Sequence, residues 1–133
     1  MIDAESRVFT RLEQAVQTQY PGISVSSEYV PAPESFPAVS IEEADNSLFK
    51  LTRTLDGAEQ HSAVLYIINV YSALAIGKKT QAKSIMKILD AEMMNMGFTR
   101  INCVRTQNID DAVYSLTARY KAVISNDFQV YRR

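Results

Sequence analysis

Tryptophan is missing from this chain, and cysteine and histidine occur once each, as Cys103 and His61. One cysteine excludes an internal disulfide framework and any cysteine-based zinc site, and it fits a reducing compartment. His61 has no Cys, Asp or second His at metal spacing, so it reads as a solvated loop residue. Charge of one sign is lacking too. The 14 Lys+Arg stand against 15 Asp+Glu, and a formal net charge of −1 offers no strong field to nucleic acid or anionic lipid. The apolar run at 63–71 is about half the length that a membrane-spanning helix needs. Its β-branched and tyrosine-rich content reads as strand. Met1 leads straight into polar IDAESR, with no basic-then-apolar segment, so a soluble intracellular start is expected.

What is present is an ordinary globular composition, 47% hydrophobic and 22% charged, in 133 residues. By size that is one domain, 1–133, able to bury roughly two thirds of its unfolded surface in one core. From Asp3 the pattern is helical: Val8, Phe9, Leu12, Ala15 and Val16 form a stripe, Asp3 is placed to cap, and YPG at 20–22 ends the helix. Residues 23–30 alternate Ile23, Val25 and Tyr29 with polar neighbours and read as a half-buried strand. Residues 36–43 follow as a second, with Val39 and Ile41 on a dry face and Ser40 and Glu42 on a wet one. Residues 47–54 are read as a strand against a competing helix, since Leu48, Leu51 and Leu55 have helical spacing. As a strand they would pair with 62–73 around a hairpin tip at residues 56–60, where Asp56-Gly57 favours the turn.

The clearest helix carries Ala82, Ile85, Met86, Leu89, Met93 and Met96 at three- and four-residue spacing, with Gly97 in the place of a left-handed cap. Lys79, Lys83 and Lys87 line another of its faces, and Met86, Met93, Met94 and Met96 read as core filler. Residues 98–107 and 112–125 then read as two strands joined by a turn at 108–111. In the second, Tyr114, Leu116, Ala118, Tyr120, Ala122 and Ile124 face one way, and Ser115, Thr117, Arg119 and Lys121 face water. The expected class is α+β, a mostly antiparallel sheet with two amphipathic helices packed on one face. Two helices cover only that face. Strand 62–73 is apolar on both, so either Val64, Tyr66, Ile68 and Val70 or Ala63, Leu65 and Ile67 must be shielded by the loop at 45–61 or by another subunit.

No chemical constellation completes itself. Gly77-Lys78 follows a strand and opens a helix, as in a phosphate-binding loop. That loop needs Gly at 72 and Ser or Thr at 79, where this chain has Ser72 and Lys79. Cys103, between Ile101 and Val104, reads as a small buried thiol, and a Cys103–His61 pair would have to be assembled by the fold. Glu42-Glu43 lie on opposite faces of a strand, and Asp110-Asp111 sit in a turn, so neither suggests acid–base work. The C-terminal Phe128, Val130 and Tyr131 stay apolar close to the end of the chain and are expected to dock, on a partner or on the domain's own core. The reading is of a non-enzyme with no cofactor and no metal.

Three phrases, FPAVSIEEADNS at 36–47, NVYSALAIGKKTQAKSIMKILDAEMMNMGFTR at 69–100 and ARYKAVISNDFQVYRR at 118–133, taken in this order, resemble the tail-completion or tail-terminator proteins of long-tailed bacteriophages and related prophages. The resemblance rests on overall pattern across nearly the whole chain, without a catalytic signature. It implies a non-enzymatic, tail-terminator-like α+β subunit of a homo-oligomeric, six-membered ring at the head-proximal end of the virion tail, assembled in the host cytoplasm. Its partners would be the tail tube protein and the head–tail connector protein, with transient, non-specific contact to genomic DNA in the lumen and none to membrane. On that basis Asp56, Glu59, Gln60 and His61 are candidates for a protruding contact loop. Tyr66 and Ile68 are candidates for subunit contact, and Phe128, Tyr131, Arg132 and Arg133 for an anchoring tail. The competing expectations are a head-side connector subunit and, from another class, a small enzyme or nucleotide-binding module.

Overall fold

The computed structural model describes residues 5–27, 36–48, 61–73, 76–106, 113–125 and 130–131. The first helix, α1, runs Glu5–Gln19 and buries Val8, Leu12 and Val16, with Phe9 packed beside them. Each such aliphatic side chain contributes about 1.5–3 kcal/mol when taken out of water. The helix closes with the Tyr20 N–H on the Val16 carbonyl at 2.9 Å. Pro21 then has no N–H to continue it, and Gly22 turns the chain at φ 85. The expected cap, Asp3, lies outside the described residues.

The first strand, β1, is Ser24–Ser26, shorter than the predicted 23–30, of which 28–30 lie outside the described residues. The second, β2, is Ala38–Leu48, and it pairs parallel with β1 through Ser24↔Ala38, Val25↔Val39 and Ser26↔Ser40. It continues beyond the predicted end at Glu43. Ser47 and Leu48, expected to open a separate strand, are its last two residues and pair with Ala63 and Ser62. A register shift between Glu43 and Asp45 lets one strand follow its partner that far. Residues 49–54, and the tip with Asp56, Glu59 and Gln60, lie outside the described residues. The third strand, β3 (His61–Ser72), is antiparallel to β2 on one side and to β5 (Tyr114–Ser125) on the other.

The second helix, α2, spans Lys78–Asn95 and buries Ala82, Ile85, Met86, Leu89 and Met93. It ends in a Schellman motif. Gly97, at φ 96, gives its N–H to the Met94 carbonyl at 3.0 Å, and Phe98 gives its N–H to the Met93 carbonyl at 2.9 Å. Phe98 then turns into the core and meets Tyr66 edge to face, with ring centroids 5.4 Å apart. Met94 points outward with 50% of its surface exposed, which corrects the expectation that it fills the core: it sits one residue past Met93, off the buried stripe.

The fourth strand, β4 (Thr99–Thr106), pairs with β5, and the short β6 (Val130–Tyr131) pairs with β5 at Val123 and Ile124. The sheet order is β1-β2-β3-β5-β4, all antiparallel except β1 with β2. Val8, Leu12 and Val16 of α1 and the buried stripe of α2 share one core with Val39 and Ile41, with Val64, Tyr66, Ile68 and Val70, and with Leu116, Ala118, Tyr120 and Ile124. Both helices therefore lie on one face, an α+β layer architecture. Arg11 Nε meets Glu92 Oε2 at 2.8 Å across the helix pair, an exposed contact worth about 0–1 kcal/mol.

Candidate functional site

Val64, Tyr66, Ile68 and Val70 take the helix-covered side of β3, so Ala63, Leu65, Ile67, Asn69 and Tyr71 take the other. That choice decides two candidates. Tyr66 and Ile68 are 0% exposed beneath the helices and are core residues, not contact residues. On that second face β3 leaves Ala63, Leu65 and Ile67 half-buried, while Tyr71 is buried.

At the centre of this second face is a buried polar ladder. Asn69 Nδ2 donates to Ser40 Oγ at 3.1 Å, and Thr117 Oγ1 donates to Asn69 Oδ1 at 2.6 Å, so three neighbouring strands are tied side chain to side chain. Ser40, Asn69, Ser115 and Thr117 are all buried. The expectation that Ser40, Ser115 and Thr117 face water is corrected on that account. Ser40 and Thr117 stand opposite Asn69 on the two neighbouring strands and bond to it, while Ser115 stands opposite buried Tyr71. Asn69 was missed. Its signal was a lone amide between Ile68 and Val70 in an otherwise apolar run. Away from the ladder, Arg119 and Lys121 carry the face outward, and Arg119 reaches Asn102 Oδ1 on β4 at 3.5 Å.

Strand β4 is the sheet's edge, and Thr99 through Arg105 are all exposed. Ile101 and Val104 show 51% and 46% of their surface. Cys103 is exposed as well, which corrects its reading as a buried thiol: among the described residues β4 has a neighbour on one side only, and its register shifts between Arg100 and Asn102. Partial desolvation pushes the Cys103 thiol up and Asp90 adds to this, while Arg100 and Lys83 pull the other way without cancelling it. Such a thiol is mostly protonated at neutral pH. His61 opens β3 as a strand residue paired with Ser125, correcting its place in a loop, and Cys103 pairs with Ala118. Along β5 those two registers are about 23 Å apart at the usual rise per residue, so the fold keeps Cys103 and His61 separate.

A cleft of about 360 Å³ opens between the α2–β4 turn and the end of β5, lined by Ala63, Val64, Gly97, Thr99, Lys121, Ala122 and Val123. Gly77 caps α2 in a left-handed conformation at φ 85 with no side-chain cap. Lys79, Lys83 and Lys87 are exposed, as a solvated helix face would be. The apolar tail of the chain returns to its own sheet at Val130–Tyr131. Phe128, Arg132 and Arg133 lie outside the described residues. Among the described residues no group of three or more His, Cys, Asp or Glu is placed to hold a metal ion, and no helix is long and apolar enough to cross a membrane.

No family model matches the chain, and no curated protein matches it. A solved structure whose name describes no function is similar over 100% of this chain and 98% of its own, with a TM-score of 0.58 and 12% identity. Likeness at that identity shows the fold alone, an α+β arrangement over the whole of this chain.

Proposed function

We propose that this chain is a non-enzymatic structural subunit of a bacteriophage virion, a tail terminator that forms a ring on the head-proximal end of the tail tube and stops its growth. The observation that carries the reading is the uneven treatment of the sheet. Two helices cover one face, while the other keeps Ala63, Leu65 and Ile67 half-buried and Val104 exposed around a satisfied polar ladder. A face of this kind, neither wet nor sealed, suits contact with further protein. The resemblance of residues 36–47, 69–100 and 118–133 to tail-completion proteins supplies the identity of that protein: other copies of the subunit, the tube below and the connector above.

The mechanism is competition for a growing end. The terminator binds the last tube ring and offers no surface that accepts another tube subunit. Genomic DNA passes through the opening, and a chain with net charge −1 holds it only weakly and without sequence preference. Electron microscopy of the purified protein, with and without its tail tube, tests this. Rings seated on one tube end are the expected result, with tubes of irregular length when the protein is withheld. Tubes of normal length that fail to join heads would transfer the chain to the head-side connector, and a monomer that binds nucleotide would overturn the structural reading.

A further inference from the structure

Helix α2 carries a row of like charge on the side turned away from the sheet. Lys79, Lys83 and Lys87 stand at i, i+4 and i+8 and are all exposed, so their stems rise from one strip of the helix about 6 Å apart along its axis. Their neighbours at three- and four-residue spacing include a single carboxylate, Asp90, which accepts from Tyr120 and Arg100 instead. The other ion pair of this helix, Glu92 with Arg11, lies on its α1 flank. Among the described residues no ion pair relieves any of the three lysines.

This placement works against the helix. Like charges at i and i+4 repel, where a glutamate ahead of a lysine would have supported the turn. Lys79 also sits in the first turn, where the helix dipole favours an acid and none is present. A face that needed only to be soluble would be served as well by mixed signs. A row held at the expense of helix stability points to a use.

The ground beside the row does not offset its charge. Arg100, Cys103 and Arg105 of β4 stand opposite Tyr120, Ala118 and Leu116 and so share the helix side of the sheet. Arg100 is matched by Asp90 at 3.1 Å, and Arg105 is held over the Tyr114 ring, 5.0 Å from its centroid, and keeps its charge. Cys103 is mostly protonated and feels the charge of Lys83. Both arginines are committed, and the lysines are the groups left to meet an anion. Between Lys79 and Lys87 the helix exposes Thr80 and no large apolar side chain. A protein contact needs such an anchor at its centre, and a phosphate backbone does not.

We infer that Lys79, Lys83 and Lys87 hold the phosphate backbone of DNA, three charges in a row without base recognition. This rests on the reading above for the source of the DNA, the genome threaded through the ring. It assigns the surface that meets it: α2 turns to the lumen, and the second face of the sheet is left for protein.

Fluorescence anisotropy of the native chain with a labelled DNA duplex of arbitrary sequence, across a salt series, tests this. Three phosphate contacts give log K a slope of about −2.7 against log salt, so affinity is expected to fall about 40-fold between about 50 and about 200 mM. Lys79→Gln with Lys83→Gln and Lys87→Gln removes most of that slope and weakens binding at least about tenfold at the lower salt, whereas Lys79→Arg, Lys83→Arg and Lys87→Arg together keep both. The glutamine variant loses only mutual repulsion, so its urea midpoint is expected to match or exceed that of the native chain, which separates lost binding from lost fold. A native chain that ignores DNA, or a glutamine variant that binds it equally, overturns the inference. A glutamine variant that still binds DNA yet no longer seats on tail tubes makes the row a protein contact and overturns it too. Rings that seat on tubes while DNA is ignored leave the terminator reading standing, and lysine-dependent DNA binding by a chain that forms no ring keeps the contact and overturns that reading.

Discussion

Tyr120 carries its hydroxyl into a small polar cluster at the margin of the core. Its Oη donates to Asp90 Oδ1 at 2.7 Å, and Arg100 reaches the same oxygen at 3.1 Å. Burial pushes the Tyr120 phenol well above its ordinary value, and the bond to Asp90 pushes it further. Because the folded value is the higher, the stabilisation is complete below the unfolded pKa of about 10. It is lost as pH rises from there through the folded value. Urea denaturation should therefore find the chain losing stability above about pH 10. Tyr120→Phe removes that alkaline decline and costs about 1–2 kcal/mol at neutral pH, since Asp90 keeps Arg100 as its partner. Cys103 offers a second residue-scale test. Its thiol is exposed yet shifted upward, so maleimide labelling is expected to be slower at neutral pH than for an unstructured thiol, with the pH–rate profile displaced to higher pH. Its environment was not legible in the sequence. Ile101 and Val104 suggest a buried strand, and nothing local says that the strand lies at the edge.

Among the elements, α2 was the most legible, because its apolar spacing and the glycine behind it agree with each other. Met93 and Met94 separate what that pattern means: Met93→Ala is expected to cost about 2–5 kcal/mol by opening a cavity. Met94→Ala stays within about 0.5 kcal/mol, and paired denaturation curves measure the contrast. Gly97→Ala forces a side chain into the left-handed region and is expected to cost about 1–2 kcal/mol. Strand β5 was equally legible in its alternation, and it gave the facing of Leu116, Ala118 and Tyr120 correctly. It misled about Ser115 and Thr117, since polarity in a strand says that a residue has partners without saying whether they are water or Asn69. The end of β2 was misread for a related reason. A bulge between Glu43 and Asp45 lengthens a strand without leaving a periodic trace.

At the scale of the molecule, the α+β class and the placement of both helices on one face follow from counting amphipathic stripes against sheet faces. The order β1-β2-β3-β5-β4 does not, because pairing between distant strands leaves no local mark in composition. Neither does the division of β3, where two apolar faces look alike until the helices choose one.

The amide of Asn69 has a further consequence for how the sheet finds its alignment. A slip of β3 by one residue would turn Asn69 toward the helices and swing Ile68 to the opposite side, stranding an amide among Leu12, Ile85 and Leu89 with neither hydroxyl in reach. Two bonds to two different strands thus act as a peg through three boards, fixing which residue stands opposite which before any packing preference is consulted.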